Sequence, residues 1–161
     1  MSDLACFEGE GETTALMQKI SVLFLCTGNS CRSQMAEGWA RYLQGEVIEA
    51  YSAGIEKHGL NPYAVQVMAE AGVDISGQQS TLIEELPVRA FDYVVTLCGH
   101  AHETCPFFPG KLIHHGFADP PHLAAQAKTE VERFDIYRLV RDQIRAYIET
   151  LPAALAQVKH P

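Results

Sequence analysis

The chain predicts a single-domain α/β fold, a four-stranded parallel sheet with helices on both faces, on three observations. Short β-rich apolar runs alternate with segments of helical period, which implies right-handed crossovers between parallel strands. Those runs lack polar alternation, as strands buried on both faces do. The first run passes directly into a glycine-containing loop and then a helix, a connection at the carboxyl end of a strand, where such sheets place their ligands.

In chain order, residues 1 to 18 alternate Glu8, Glu10 and Glu12 with Gly9 and Gly11 and show no steady apolar period, so a mobile tail precedes a domain over residues 19–161. Ile20 to Leu25 is the first strand, stopping at Cys26-Thr27-Gly28-Asn29-Ser30. From Cys31 onward, Met35, Ala36, Trp39, Ala40 and Leu43 recur at helical spacing until Gly45. Val47 to Ala53 is the second strand, and Asn61-Pro62 caps a helix that Gly72 ends. Ser76 to Leu86 reads as a polar helix. Tyr93 to Leu97 is the third strand, entering Cys98-Gly99, and Leu112-Ile113 is a short fourth. Thr129 with Glu132 forms a capping box for the last helix, whose apolar stripe is Val131, Phe134, Tyr137, Val140, Ile144, Tyr147, Ile148 and Leu151.

With 161 residues, 47% of them apolar, the length suits one core. Twelve Lys and Arg against twenty Asp and Glu leave a net charge of −8, no field to attract nucleic acid. No apolar run reaches the roughly 20 residues needed to cross a bilayer, and Met1-Ser2-Asp3 lacks the basic start of a secretory signal. A cytoplasmic protein without membrane contact is expected, as a monomer. Five cysteines, an odd number, read as working thiols rather than a disulfide framework.

Five residues separate Cys26 from Arg32 across the strand-to-helix loop. Wrapped this way, Thr27, Gly28, Asn29, Ser30, Cys31 and Arg32 can aim backbone N–H groups at one tetrahedral oxyanion, with the helix N-terminus adding positive charge. Gly28 allows close approach. Arg32 offers a planar fork to two oxygens, and the same surroundings pull Cys26 toward the nucleophilic thiolate. Ser33 is placed to donate its hydroxyl to the Cys26 sulfur. The plain alternative is a buried cysteine in an ordinary turn; for Cys31 packing is the favoured reading, and Cys6 is an incidental thiol in the tail.

The run from Val22 to Trp39, VLFLCTGNSCRSQMAEGW, resembles the phosphate loop of the low-molecular-weight tyrosine phosphatase fold, in the version found in thioredoxin-coupled arsenate reductases. Tyr51-Ser-Ala-Gly-Ile55, His58-Gly59, Asn61-Pro62, Val94-Val-Thr-Leu-Cys98, Cys105-Pro106 and Gly116-Phe-Ala-Asp-Pro120 match the same family in the same order. The later cysteines separate the two activities. Phosphorus(V) has no accessible reduced state, whereas arsenic(V) has one, so a second thiolate attacking Cys26 would leave the As–S electron pair on arsenic. Cys98, at the carboxyl end of strand three, projects onto the edge that holds Cys26. Cys105 lies seven residues further. In a helix that separation is about 10 Å, too far for a disulfide, so pairing requires the segment to unwind, which Gly99 favours.

The resemblance implies that Cys105 attacks Cys98, that thioredoxin reduces the resulting disulfide, and that no organic cofactor takes part. Glutathione with glutaredoxin is the alternative donor, and phosphate and sulfate are the competing oxyanions. Asp119, in Asp119-Pro120-Pro121, resembles the acid-bearing segment and would protonate the departing oxygen. Some members hold potassium through an Asn, a Glu, a Ser and an Asp. Asn29, Glu37 and Ser52 match, but Thr81 stands where the Asp is expected, and a neutral hydroxyl attracts a cation less.

Other readings are a tyrosine phosphatase, which would want an aromatic-walled cleft, and a non-catalytic oxyanion or redox sensor. Cys98, His100, His102 and Cys105 crowd together without the second cluster that zinc sites use. His114 and His115 read as edge or surface residues.

Overall fold

The computed structural model describes residues 18–104 and 110–157. The tail, Cys6 and Cys105 lie outside them. Four parallel strands, β1 (Ile20–Cys26), β2 (Ile48–Gly54), β3 (Tyr93–Thr96) and β4 (Lys111–His114), stand in the order β2-β1-β3-β4. The connecting helices are α1 (Arg32–Gln44), α2 (Pro62–Glu70), α3 (Gly99–Thr104), α4 (Pro120–Ala124), α5 (Glu130–Glu149) and α6 (Ala153–Gln157).

β1 is central and buried on both sides, which explains its unbroken apolar run. Val22 and Phe24 face a core shared with Met35 and Trp39 of α1, Met68 of α2, and Tyr137, Val140, Ile144 and Ile148 of α5. Leu23 and Leu25 face the opposite core with Ala53, Ile83, Phe91, Val94 and Ala101. Long helices cover the first face. The second is closed by short α3 and the segment around Ile83–Phe91.

Register is set at both ends of β1. Ser21 N–H donates to Asp92 Oδ2 at 2.8 Å while Asp92 N–H donates to Ser21 Oγ at 2.9 Å, pairing Val22 with Tyr93. At the far end Leu97 N–H donates to Leu25 O at 2.8 Å.

Two expectations change. Ser76 to Leu86 is not a helix: it holds one 3-10 turn at Ile83–Glu85, and its polar groups bond the loop after β1, with Ser80 Oγ donating to Gly28 O and Thr81 N–H to Asn29 Oδ1. Val131 is 67% exposed and leaves the apolar stripe of α5, because it lies in the first turn, beyond the part of the helix that meets the core. Thr129 does accept from Glu132 N–H, whereas the Glu132 carboxylate takes Lys128 N–H.

Ile144 of α5 is fully buried in the core shared with α1, α2 and β1. Ile144→Ala is expected to cost about 2–5 kcal/mol, read as a lower urea midpoint with unchanged slope.

Candidate active site

The loop between β1 and α1 is shaped by what its carbonyls do. Thr27 O accepts from Glu56 N–H at 2.8 Å, Gly28 O from His58 N–H at 3.0 Å, and Ser30 O from Asn61 N–H at 2.9 Å. Asn29 O takes Gln34 Nε2 at 2.9 Å, and Cys31 O takes Met35 N–H at 2.9 Å. With the carbonyls drawn outward, the N–H groups of the same peptides are left for the concave side, where the amino end of α1 adds partial positive charge. Asn29 adopts φ +48, and its amide holds that left-handed turn by donating to Ser33 Oγ at 2.8 Å and Ser52 Oγ at 3.0 Å. Gly28 is required because His58 packs on it: a Cβ there would stand 2.1 Å from His58 Nδ1.

The concave side opens into a cavity of about 410 Å³, walled by residues of the loop, by the His58–Pro62 segment and by Asp119 and Pro121. Arg32 is buried beside it. Its Nη1 donates to Phe117 O at 3.0 Å and Nη2 lies 3.7 Å from Asp119 Oδ1, while Nε is buried without a hydrogen-bond partner among the described residues. A buried unpaired guanidinium donor is costly unless an anionic oxygen meets it. Asp119 is the N-cap of α4, yet its side chain caps nothing. The half-exposed carboxyl faces Arg32 across the cavity mouth instead.

Cys26 ends β1 and Cys98 follows β3, and the two pack in one cluster, close enough for the Cys26 thiol to donate toward the Cys98 sulfur. The Cys26 thiol donates and Cys98 carries the charge. That donation and burial hold Cys26 well above the ordinary thiol range, outweighing the opposing pull of Arg32 and of Thr27 N–H. Cys98 lies well below it, because the Cys26 thiol, the Thr27 hydroxyl and Ala101 N–H all donate to its sulfur. The expected depression of Cys26 is therefore corrected: the positive surroundings are present, but the neighbouring Cys98 and burial outweigh them.

Cys26, Arg32, Asp119 and the loop residues Thr27, Gly28, Ser30 and Cys31 converge on the cavity. Cys98 joins them through Cys26 and Thr27. Cys31 is buried, which pushes its thiol up. Ser33 departs from expectation: its Oγ accepts from Asn29 Nδ2 and makes no bond to Cys26 among the described residues. The residues for potassium do not fit one. Arg41 Nη2 lies 2.8 Å from Glu37 Oε2, Ser52 Oγ donates to Oε1 at 2.5 Å, and Asn29 Oδ1 already accepts Thr81 N–H and Gln34 Nε2. Donors of this chain occupy the oxygens a cation would need. The Thr27 hydroxyl on Cys98 and the bracing by Gln34, Ser80 and Thr81 carry no motif of their own in the sequence.

A family model described as low molecular weight phosphotyrosine protein phosphatase matches residues 21–160. The chain belongs to that family. Among its relatives, an arsenate reductase of Halalkalibacterium halodurans is 49% identical over 136 residues, 83% of this chain and 96% of that protein. A solved arsenate reductase in the phosphate binding state superposes with a TM-score of 0.67 at 34% identity, covering 84% of this chain and 98% of the other. A thioredoxin-dependent arsenate reductase of Corynebacterium glutamicum superposes at 0.60 with 26% identity, covering 91% and 67%. His58, Gly59, Leu60, Asn61, Pro62, Asp119 and Pro121 surround the loop in this chain, and no Phe, Tyr or Trp lines the cavity among the described residues.

Gly28→Ala is expected to weaken binding of inorganic phosphate by more than about tenfold in titration calorimetry, because the new methyl displaces His58. Thiolate absorbance near 240 nm is expected to persist at about pH 6, where an ordinary thiol is protonated. Thr27→Val removes a donor to the charged sulfur and so moves that titration upward, by about one pH unit.

Proposed function

We propose that this chain reduces arsenate to arsenite with three thiols used in sequence, Cys26, Cys98 and Cys105, and that thioredoxin restores them in the cytoplasm. The reading is carried by one observation: a second cysteine, Cys98, packs with the first in one cluster and bonds Thr27 of the oxyanion cradle through its sulfur. A hydrolytic phosphatase has no use for that second sulfur. The naming of close relatives as arsenate reductases, and of one structural neighbour as thioredoxin-dependent, supports the substrate and the donor.

Arsenate sits against the loop N–H groups and the Arg32 guanidinium. The Cys26 proton passes across the shared hydrogen bond to Cys98, and the Cys26 thiolate attacks arsenic. Asp119 protonates the departing oxygen, which leaves as water. Cys98 then attacks the Cys26 sulfur while its proton goes to an arsenic oxygen. The S–S bond forms, the S–As bond breaks, and its electron pair stays on arsenic, which leaves as arsenite. Cys105 thiolate next attacks Cys98, expelling Cys26 as a thiolate and leaving a Cys98–Cys105 disulfide. The thioredoxin dithiol supplies the two electrons that reopen it. The net reaction is arsenate plus a dithiol giving arsenite, water and a disulfide.

Among the described residues, no aromatic ring walls this cleft as phosphotyrosine would want. Arsenate-dependent NADPH oxidation with thioredoxin and its reductase is expected for the wild type and absent for Cys26→Ser. Cys98→Ser and Cys105→Ser are expected to stop within one turnover. Normal turnover of Cys98→Ser with thioredoxin would refute the relay, and higher catalytic efficiency with glutathione and glutaredoxin would reassign the donor.

A further inference from the structure

The step after arsenite release makes a demand on α3. This helix runs Gly99–Thr104, between Cys98 and Cys105. Seven residues of helix span about 10 Å, whereas disulfide α-carbons lie roughly 4.4–6.8 Å apart. A six-residue helix has little stability of its own, so its tertiary attachments decide how readily it opens. One attachment is the Ala101 methyl, buried against Leu23, Leu25 and Cys26. Another involves side chains to which the relay gives no task.

Thr96, the last residue of β3, is fully buried. Its Oγ1 lies 3.0 Å from His102 Nδ1 on α3 and 2.9 Å from His114 Nδ1 at the end of β4, its register partner. The two imidazoles also meet, at 4.7 Å between centroids and 42° between planes. A hydroxyl has one proton and accepts two hydrogen bonds, so at least one imidazole donates to it. When the hydroxyl proton is directed at Ile113 O, 3.4 Å away, both do. Strand, helix and edge strand are thus tied at one oxygen. For packing alone, valine would serve in place of Thr96.

We propose that His102, Thr96 and His114 form a tether that holds α3 closed and so times the relay. While closed, α3 keeps Ala101 N–H on the Cys98 sulfur, the state in which Cys98 attacks Cys26. The transfer of the disulfide from Cys26–Cys98 to Cys98–Cys105 waits for the tether to break. These are positioning residues, and they act on two steps in opposite directions. The inference rests on the relay reading for its consequence and on the Thr96 bridge for its structure.

Hydrogen exchange and quenched single-turnover kinetics on the full chain separate the two. Thr96→Val removes the bridging hydroxyl, and His102→Phe keeps ring volume without the nitrogen. Both are expected to speed exchange of the α3 amides about fivefold to tenfold, with α5 amides unchanged as a control for global stability. Appearance of the Cys98–Cys105 disulfide, read by alkylation and mass spectrometry, is expected to accelerate by the same factor, while arsenite release in the first turnover does not accelerate. Thr96→Ser, which keeps the hydroxyl, and His102→Asn, whose amide nitrogen takes the place of Nδ1, are expected to restore wild-type rates. A mere packing role would slow both steps and would not be rescued by Asn. Unchanged α3 exchange in both Thr96→Val and His102→Phe, or faster exchange with unchanged disulfide transfer, overturns the tether. Absence of any Cys98–Cys105 disulfide in the wild type overturns the relay instead, and the exchange rates then still judge the tether.

Discussion

The hydrogen bond from Leu97 N–H to Leu25 O continues the β1–β3 ladder one step past its last formal pair, and the chemistry depends on it. Neighbouring parallel strands run about 4.8 Å apart, so two strands ending level present their next side chains side by side. Here Leu25 pairs with Thr96, so Cys26 is level with Leu97 and Cys98 stands one residue further, and both cysteines pack in the same core on one side of the sheet. A register slip of one residue would turn one sulfur to the opposite face of the sheet. The Ser21–Asp92 pair at the other end guards against such a slip, because its two bonds are reciprocal and β3 is only four residues long.

The cradle is preorganised at a cost borne elsewhere. Its carbonyls are taken by the segment after β2, by Gln34 and by Ser80, and its left-handed residue is fixed through a four-bonded Asn29 amide. Behind Asn29, Ser52 donates to Glu37, whose carboxyl is pushed up by burial and drawn back by Ser52 and Arg41. A guanidinium from α1 thus supplies the positive charge there. The orphaned Arg32 Nε is the one buried side-chain polar atom left unpaired among the described residues, and it sits where an anion's oxygen would satisfy it. Strain and unpaired polarity concentrate at this loop because its partner in the bound state is the oxyanion, not the protein.

What was legible in the sequence were features decided by local pattern. The unbroken run of β1, the heptad-like stripe of α5 and the Cys-to-Arg spacing all follow from burial or from backbone geometry that neighbouring residues impose. Cys26 and Arg32 follow from such signals and Cys98 from its place after a strand, whereas Asp119 is picked out by resemblance to the family's acid-bearing segment. The failures share another cause. Ser76–Leu86 has helical polarity, yet its side chains and amides are recruited by Gly28 and Asn29, 52 positions away in the sequence. The motif places the Ser33 hydroxyl on the Cys26 sulfur, but Asn29 Nδ2 donates to it instead. The nearby Arg32 makes Cys26 read as a thiolate, whereas the group that keeps it protonated, Cys98, lies 72 positions on.

Thr27 shows why the anion site and the second thiol are one device rather than two neighbours. Its N–H donates to the Cys26 sulfur and its hydroxyl to the Cys98 sulfur, while its carbonyl is held by Glu56 N–H. One residue therefore sets the backbone of the cradle, opposes protonation of the first nucleophile and stabilises charge on the second. Because each sulfur is the other's proton partner, neutralising one favours the anion on its neighbour. Once Cys26 is bound to arsenic it has no proton to give, and Cys98 keeps only the donors from Thr27 and Ala101. The second attack then relies on groups that belong to the loop and to α3, and both must remain in their closed positions until arsenic has left.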